Sequence, residues 1–190
     1  MVTKPIHQFV HTLSYGDAIS SEVLALQRCF HESGIDSEIF SINTHPRYKG
    51  KTHDYRNFLK HSGSNFNGTA ILHYSLGSPL NELYLSLTQA KRSLVFHNLT
   101  PSHWFEGINP RIVADIVQGQ EELPKLCEVT DLLISDSEFN ASELRAIGYE
   151  SKVLELMIDP ARWDVPTNQG IASLVKGEPG IHVLHIGRFA

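Results

Sequence analysis

The chain has 190 residues and 41% apolar content, enough to bury one sizeable core and part of another, and too apolar for a disordered tail. Its formal net charge of -5 and pI near 6.1, with acidic and basic residues interspersed, give no broad basic face to attract nucleic acid. No apolar run is long enough to cross a bilayer, and the opening MVTKPIHQF lacks the apolar centre of a secretory signal, so the expected location is cytoplasmic.

Residues 6–13 (IHQFVHTL) predict a first strand, followed by a turn through Ser14, Tyr15, Gly16 and Asp17. From Ile19 the apolar positions Val23, Leu26 and Phe30 recur at helical spacing, with Gly34 as the stop. Residues 38–42 return as a strand. The polar stretch 44–66 reads as loop with at most short helices, the kind of insertion that borders binding sites.

Alternation resumes with a strand at 69–74 (TAILHY), a helix at 79–90 and a strand at 93–97 that stops abruptly at polar residues. Residues 109–128 predict a helix broken near Gly119 and Pro124, and 132–135 (LLIS) another buried strand. Asn140 with Glu143 resembles a capping box opening a helix that stops at Gly148, and 152–156 (KVLEL) predicts a further strand. Together these give an α/β fold, a Rossmann-like and mostly parallel sheet with helices on both faces. The domain expected at 1–157 is followed by a Pro/Asn/Gly-containing linker at 158–180 and a new strand at 181–190 that begins a second α/β unit.

The strand-end polar groups are the candidates for chemistry, because open α/β sheets bind ligands beyond the carboxyl ends of their strands. His97 leads them, with Asn98 and Thr100 beside it; a structural histidine bonded to a neighbouring loop is the competing assignment. His73 and Tyr74 end the preceding strand and open onto the same rim. Gly16 lets backbone amides at a helix start meet an anion, whereas Asp17 serves either as helix cap or as ligand contact. Trp104 forms an apolar wall for an acceptor, or core. Ser137 and Asn140, following Ser135 and Asp136, read as helix caps.

Other chemistries are weakly supported. A GxGxxG dinucleotide fingerprint, a P-loop, HExxH and a Ser-His-Asp order are all missing. Cys29 and Cys127 stand apart and outside any CxxC pair, which predicts free thiols, and the eleven histidines are scattered without HxxxH spacing, which predicts no metal site.

Five stretches in order, YGDAISSEVLALQRCFHESGIDSEIF, ILHYSLGSP, LVFHNLTP, LLISDSEFNASELRAIGY and VLHIGRF, resemble the N-terminal half of a retaining GT-B glycosyltransferase of family 4. The resemblance implies the acceptor-side domain of a two-domain enzyme that moves a hexosyl group from a nucleotide-sugar donor to a glycan or lipid-linked acceptor, without a metal. It implies that Gly16 and its loop approach the donor diphosphate, that His97 bonds the transferred sugar, and that Arg188 neutralises the diphosphate. The lysine partner of Arg188 and the E-x7-E donor element are expected in a C-terminal domain beyond Ala190, and peripheral contact with the inner membrane face is an option for lipid-linked acceptors. Two alternatives stand beside it. One is a non-catalytic Rossmann-like ligand-binding module; the other is a GT-B nucleotide-sugar epimerase.

Overall fold

The computed structural model describes residues 4–62, 65–157 and 166–183. The chain divides into two compact units, Met1–Met157 and Ile158–Ala190. The first unit is an α/β domain built on a seven-stranded, all-parallel sheet of order β3-β2-β1-β4-β5-β6-β7. Its strands are β1 (Ile6–Leu13), β2 (Ile39–Thr44), β3 (His53–Asp54), β4 (Thr69–Tyr74), β5 (Lys91–Phe96), β6 (Leu132–Ser135) and β7 (Lys152–Val153). Its helices are α1 (Ala18–Glu32), α2 (Phe58–Ser62), α3 (Pro79–Ser86), α4 (Pro110–Glu128) and α5 (Glu138–Ala146).

The chain runs outward from β1 to β2 and β3, then restarts at β4 on the other side of β1 and proceeds to β7. Right-handed crossovers therefore place helices on opposite faces on either side of the β1/β4 boundary. One face carries Phe9, Phe40, Leu72, Tyr74, Leu94 and Phe96, packed with Leu80 and Tyr84 of α3, Leu123 and Leu126 of α4 and Leu144 of α5. The other holds a smaller cluster in which Val10 and Ile39 meet Val23 of α1. Two cysteines are free: Cys29 is exposed on α1, while Cys127 is buried on α4 and its thiol is pushed up to about 11 by burial.

Several elements differ from the sequence expectation. The long polar insertion contains the two-residue edge strand β3 and two single 3-10 turns, Pro46–Tyr48 and Tyr55–Asn57. The segment read as linker carries a helix, α6 (Gln169–Gly177), capped by Asn168. Most of the strand expected at 181–190 lies outside the described residues, and residues 181–183 are not in a strand. The start expected at Asn140 is corrected to Glu138, because Ser137 is the N-cap and its hydroxyl accepts from the Asn140 amide.

The expected break in α4 does not occur. The helix runs unbroken through Gly119 and Pro124, because tertiary packing outweighs the local cost of proline. Tyr74 donates its hydroxyl to the Gly119 carbonyl at 2.7 Å, and the Gly77 amide donates to the Asp115 carbonyl at 2.9 Å. A Cβ on Gly119 would stand 2.7 Å from the Gly77 nitrogen, so this glycine is fixed by backbone-to-backbone approach rather than by helix breaking. Replacing a helical glycine by alanine ordinarily gains about 1 kcal/mol. Here the sign reverses: Gly119→Ala is expected to lose roughly 1–3 kcal/mol in urea unfolding, the cost of overpacking a close contact, and a gain would show that the contact yields freely.

His7 gives the domain an acid sensitivity. Its ring stacks on Phe66 with centroids 5.2 Å apart, and its Nδ1 accepts from the Glu38 amide at 3.1 Å. Burial is the main cause holding its pKa below the ordinary value, against the opposing charges of Glu38 and Asp36. An unfolded chain then takes up the proton first, at about pH 6.5, so the contribution is complete above that pH and is lost as pH falls below it. The melting temperature should drop between about pH 7 and pH 5, and His7→Gln, which retains an acceptor, should flatten that drop; an unchanged profile would remove His7 as a source.

Candidate functional site

The register of β4 against β5 pairs His73 with Val95 and Tyr74 with Phe96. Since successive side chains alternate faces, Gln8, His73 and His97 point to the same face, the one covered by α1. α1 is capped by Asp17, whose side chain accepts from the Ser20 amide at 2.9 Å and so sets the helix phase. That phase brings Glu22 and Val23 down onto the strands.

The result is a chain of polar contacts inside the fold. Gln8 Nε2 donates to the Val23 carbonyl at 3.0 Å, which aims its Oε1 at His73 Nε2, also 3.0 Å away. His73 therefore carries its proton on Nε2 and turns the Nδ1 lone pair toward His97 Nε2, at 3.0 Å. The two rings lie nearly parallel, 12° apart. His97 Nδ1 faces Asp136 Oδ2 at 3.2 Å, and Glu22 Oε2 stands 3.5 Å from His97 Nε2. Asp136 in turn accepts from Ser137 Oγ at 3.1 Å and from Asn140 Nδ2.

Burial governs the electrostatics. The side chains of His97 and Glu22 are each 1% exposed and that of Asp136 is 11% exposed. Burial, followed by the neighbouring His97, keeps His73 well below the ordinary histidine value, hence neutral. Burial also raises Glu22, against the pull of His97. At Asp136 burial pushes up too, but hydrogen bonds and charge from His97, together with Ser137 and Asn140, leave the carboxyl below its ordinary range. Glu22 Oε2 has no hydrogen-bond partner. One donor atom each from Glu22, His73 and His97 lies within 4.8 Å of the others, a spacing that admits a metal ion.

The expected site residues separate into three groups. His73 and His97 meet, but beneath the rim rather than on it. Tyr74 requires correction: alternation sends its phenol to the opposite face, where it is 1% exposed and bonded to α4. Gly16, with φ of +79°, and half-buried Asn98, with φ of +73°, sit on loops at the carboxyl edge, and Thr100 is exposed there. Trp104 is 63% exposed on the 3-10 turn Ser102–Phe105, so it is surface and not core. Arg188 lies outside the described residues. Next to Gly16, the Arg47 guanidinium lies 4.1 Å from the Tyr15 ring centroid.

Sequence reasoning passed over Gln8, Glu22 and Arg47, and took Asp136 for part of a helix start. A signal for Glu22 existed: it falls on the apolar stripe of Ile19, Val23 and Leu26, where a carboxylate has to find a partner. A depression lined by Pro5, His7, Asp36, Glu38 and Asn67 lies at the amino ends of the strands, opposite the histidine pair. Among the described residues no helix is long and apolar enough to cross a membrane.

Asp136 ties the pair to α5. Asp136→Ala removes the partners of His97 Nδ1 and Asn140 together and should cost about 2–3 kcal/mol in denaturant unfolding, with Asp136→Asn costing less; an Ala variant as stable as the parent would show that the contact holds nothing.

No protein-family model matches the chain, and comparison with curated proteins found no match, so the site stands on its own geometry.

Proposed function

We propose that this chain is the acceptor-side domain of a two-domain, retaining GT-B glycosyltransferase that uses a nucleotide-sugar donor. The observation that carries the reading is the crevice between β1 and β4, where the strand order reverses and where the Gly16 loop and the ends of β4, β5 and β6 converge. Ligands of open parallel sheets bind at such a crevice. Gly16 offers a close backbone approach at the positive end of α1, and Arg47 adds a cation beside it.

Cleaving a sugar–diphosphate bond builds negative charge on the leaving group. In this reading amides at the start of α1 and Arg47 stabilise that charge from one side, with Arg188 assigned to the other. His97, buried beneath the rim with both ring nitrogens engaged, acts through the Asp136–His97–His73 chain, which fixes the strand ends that border the donor sugar, a positioning role that needs no proton transfer. Exposed Trp104 and Ile108 supply the apolar acceptor surface. One observation favours a second reading, a non-catalytic binding module: both ring nitrogens of His97 are engaged by protein groups.

The experiment is sugar transfer from a panel of nucleotide-sugar donors by the full-length protein and its His97→Ala variant. Turnover in the parent and a fall in kcat on the order of 10²-fold in the variant are expected. Turnover undiminished by the substitution would remove His97 from the reaction. Donor binding by the parent without transfer would establish the binding module instead.

A further inference from the structure

We propose that Glu22, His73 and His97 form a binding site for one first-row divalent cation of the zinc class. This goes beyond the transfer reading and does not rest on it. The three side chains come from α1, β4 and the end of β5, so the sequence places them far apart while the sheet register holds them together. His73 Nδ1 to His97 Nε2 is 3.0 Å and His97 Nε2 to Glu22 Oε2 is 3.5 Å. Donors bound to one ion at about 2.0–2.1 Å stand roughly 2.9–3.4 Å apart in octahedral to tetrahedral arrangements. The first spacing falls in that range and the second just beyond it, and all three donor atoms lie within 4.8 Å of one another.

Two independent observations point to an ion. The first is Glu22 Oε2, fully buried, aimed at the histidines and without a hydrogen-bond partner. A buried carboxylate oxygen without a hydrogen-bond donor, with only His97 Nε2 3.5 Å away, is costly, and a cation bound to it lowers the cost. The second is the support behind each imidazole. His73 Nε2–H donates to Gln8 Oε1, whose orientation is fixed by the Val23 carbonyl, and His97 Nδ1 is set against Asp136. Ligating histidines are held in this way, with the far nitrogen bonded to a carbonyl or carboxylate so that the near lone pair faces the metal. Two imidazoles and a carboxylate suit zinc, cobalt or iron(II), not magnesium or calcium, which take oxygen donors. With the site filled, the proton shared between His73 Nδ1 and His97 Nε2 leaves to solvent, so binding is accompanied by proton release.

The test is titration of the 190-residue chain with Zn²⁺ by calorimetry in two buffers of different ionisation enthalpy, and with Co²⁺ by visible absorption. Each metal is added both to the folded protein at equilibrium and during refolding, so that slow entry is not read as absence. One ion per chain, Co²⁺ ligand-field bands without thiolate charge transfer, and proton release are expected, with no response to Mg²⁺. Glu22→Gln, which retains shape, should weaken binding at least tenfold, and Asp136→Asn should weaken it by about 10–100-fold. His45→Ala, a change to an exposed histidine, should leave binding unaltered. Absence of binding under both loading conditions would overturn the site, as would thiolate bands assigning the ion to Cys29, or affinity unchanged in Glu22→Gln with its fold verified by circular dichroism.

Discussion

The contact between His73 and His97 depends on the register of two parallel strands, and the polar interior of the domain depends on that contact. Shifting β4 by one residue would turn His73 to the face occupied by α3 and α4 and bring Tyr74 under α1. The apolar faces would suffer as well, because Leu72 and Tyr74 would lose their places beside Leu94 and Phe96. Register is therefore specified twice, by the hydrophobic layer on one face and by hydrogen bonds on the other. The buried polar chain from Gln8 through His73 and His97 to Asp136 is hydrogen-bonded link by link, and such a chain rigidifies a core and recovers its cost only in the one register that makes those bonds.

The strands were legible in the sequence because parallel strands inside a sheet are short apolar runs, as in the buried Leu94 to Phe96 and the less covered Leu132 to Ile134. Helix α4 was misread for a physical reason. Gly119 and Pro124 weaken a helix locally, yet Gly119 answers to a neighbouring backbone, and no local pattern reveals what lies 2.7 Å from an imagined Cβ. β3 was missed because two residues at a sheet edge carry no periodicity. The alternation of elements pointed to a parallel sheet, but the order of strands, with β4 beside β1, came only from the structure.

The site was legible only at its ends. His97 and His73 stand at strand termini, where polarity breaks an apolar run, and those breaks are visible. Whether each points to solvent or inward is decided by the pleat and by what covers the face, so the three expected rim residues became one buried histidine pair and one core tyrosine. Gln8 and Glu22 were hidden because each is a single polar residue within an apolar pattern. Their meaning appears only when α1 crosses the sheet and sets 14 and 65 residues of sequence separation to nothing, bringing Glu22 toward Gln8's strand and Gln8 toward His73.

The two thiols differ in a way that is useful beyond the fold. Cys127 is sealed in the larger core with its proton held tightly, while Cys29 is open to solvent on the helix that also carries Glu22. Alkylating reagents at neutral pH will therefore discriminate between them without any mutation. The native chain carries its own single accessible attachment point for a spin or fluorescent label, and that label rides on α1, the helix that sets Glu22 against the histidine pair.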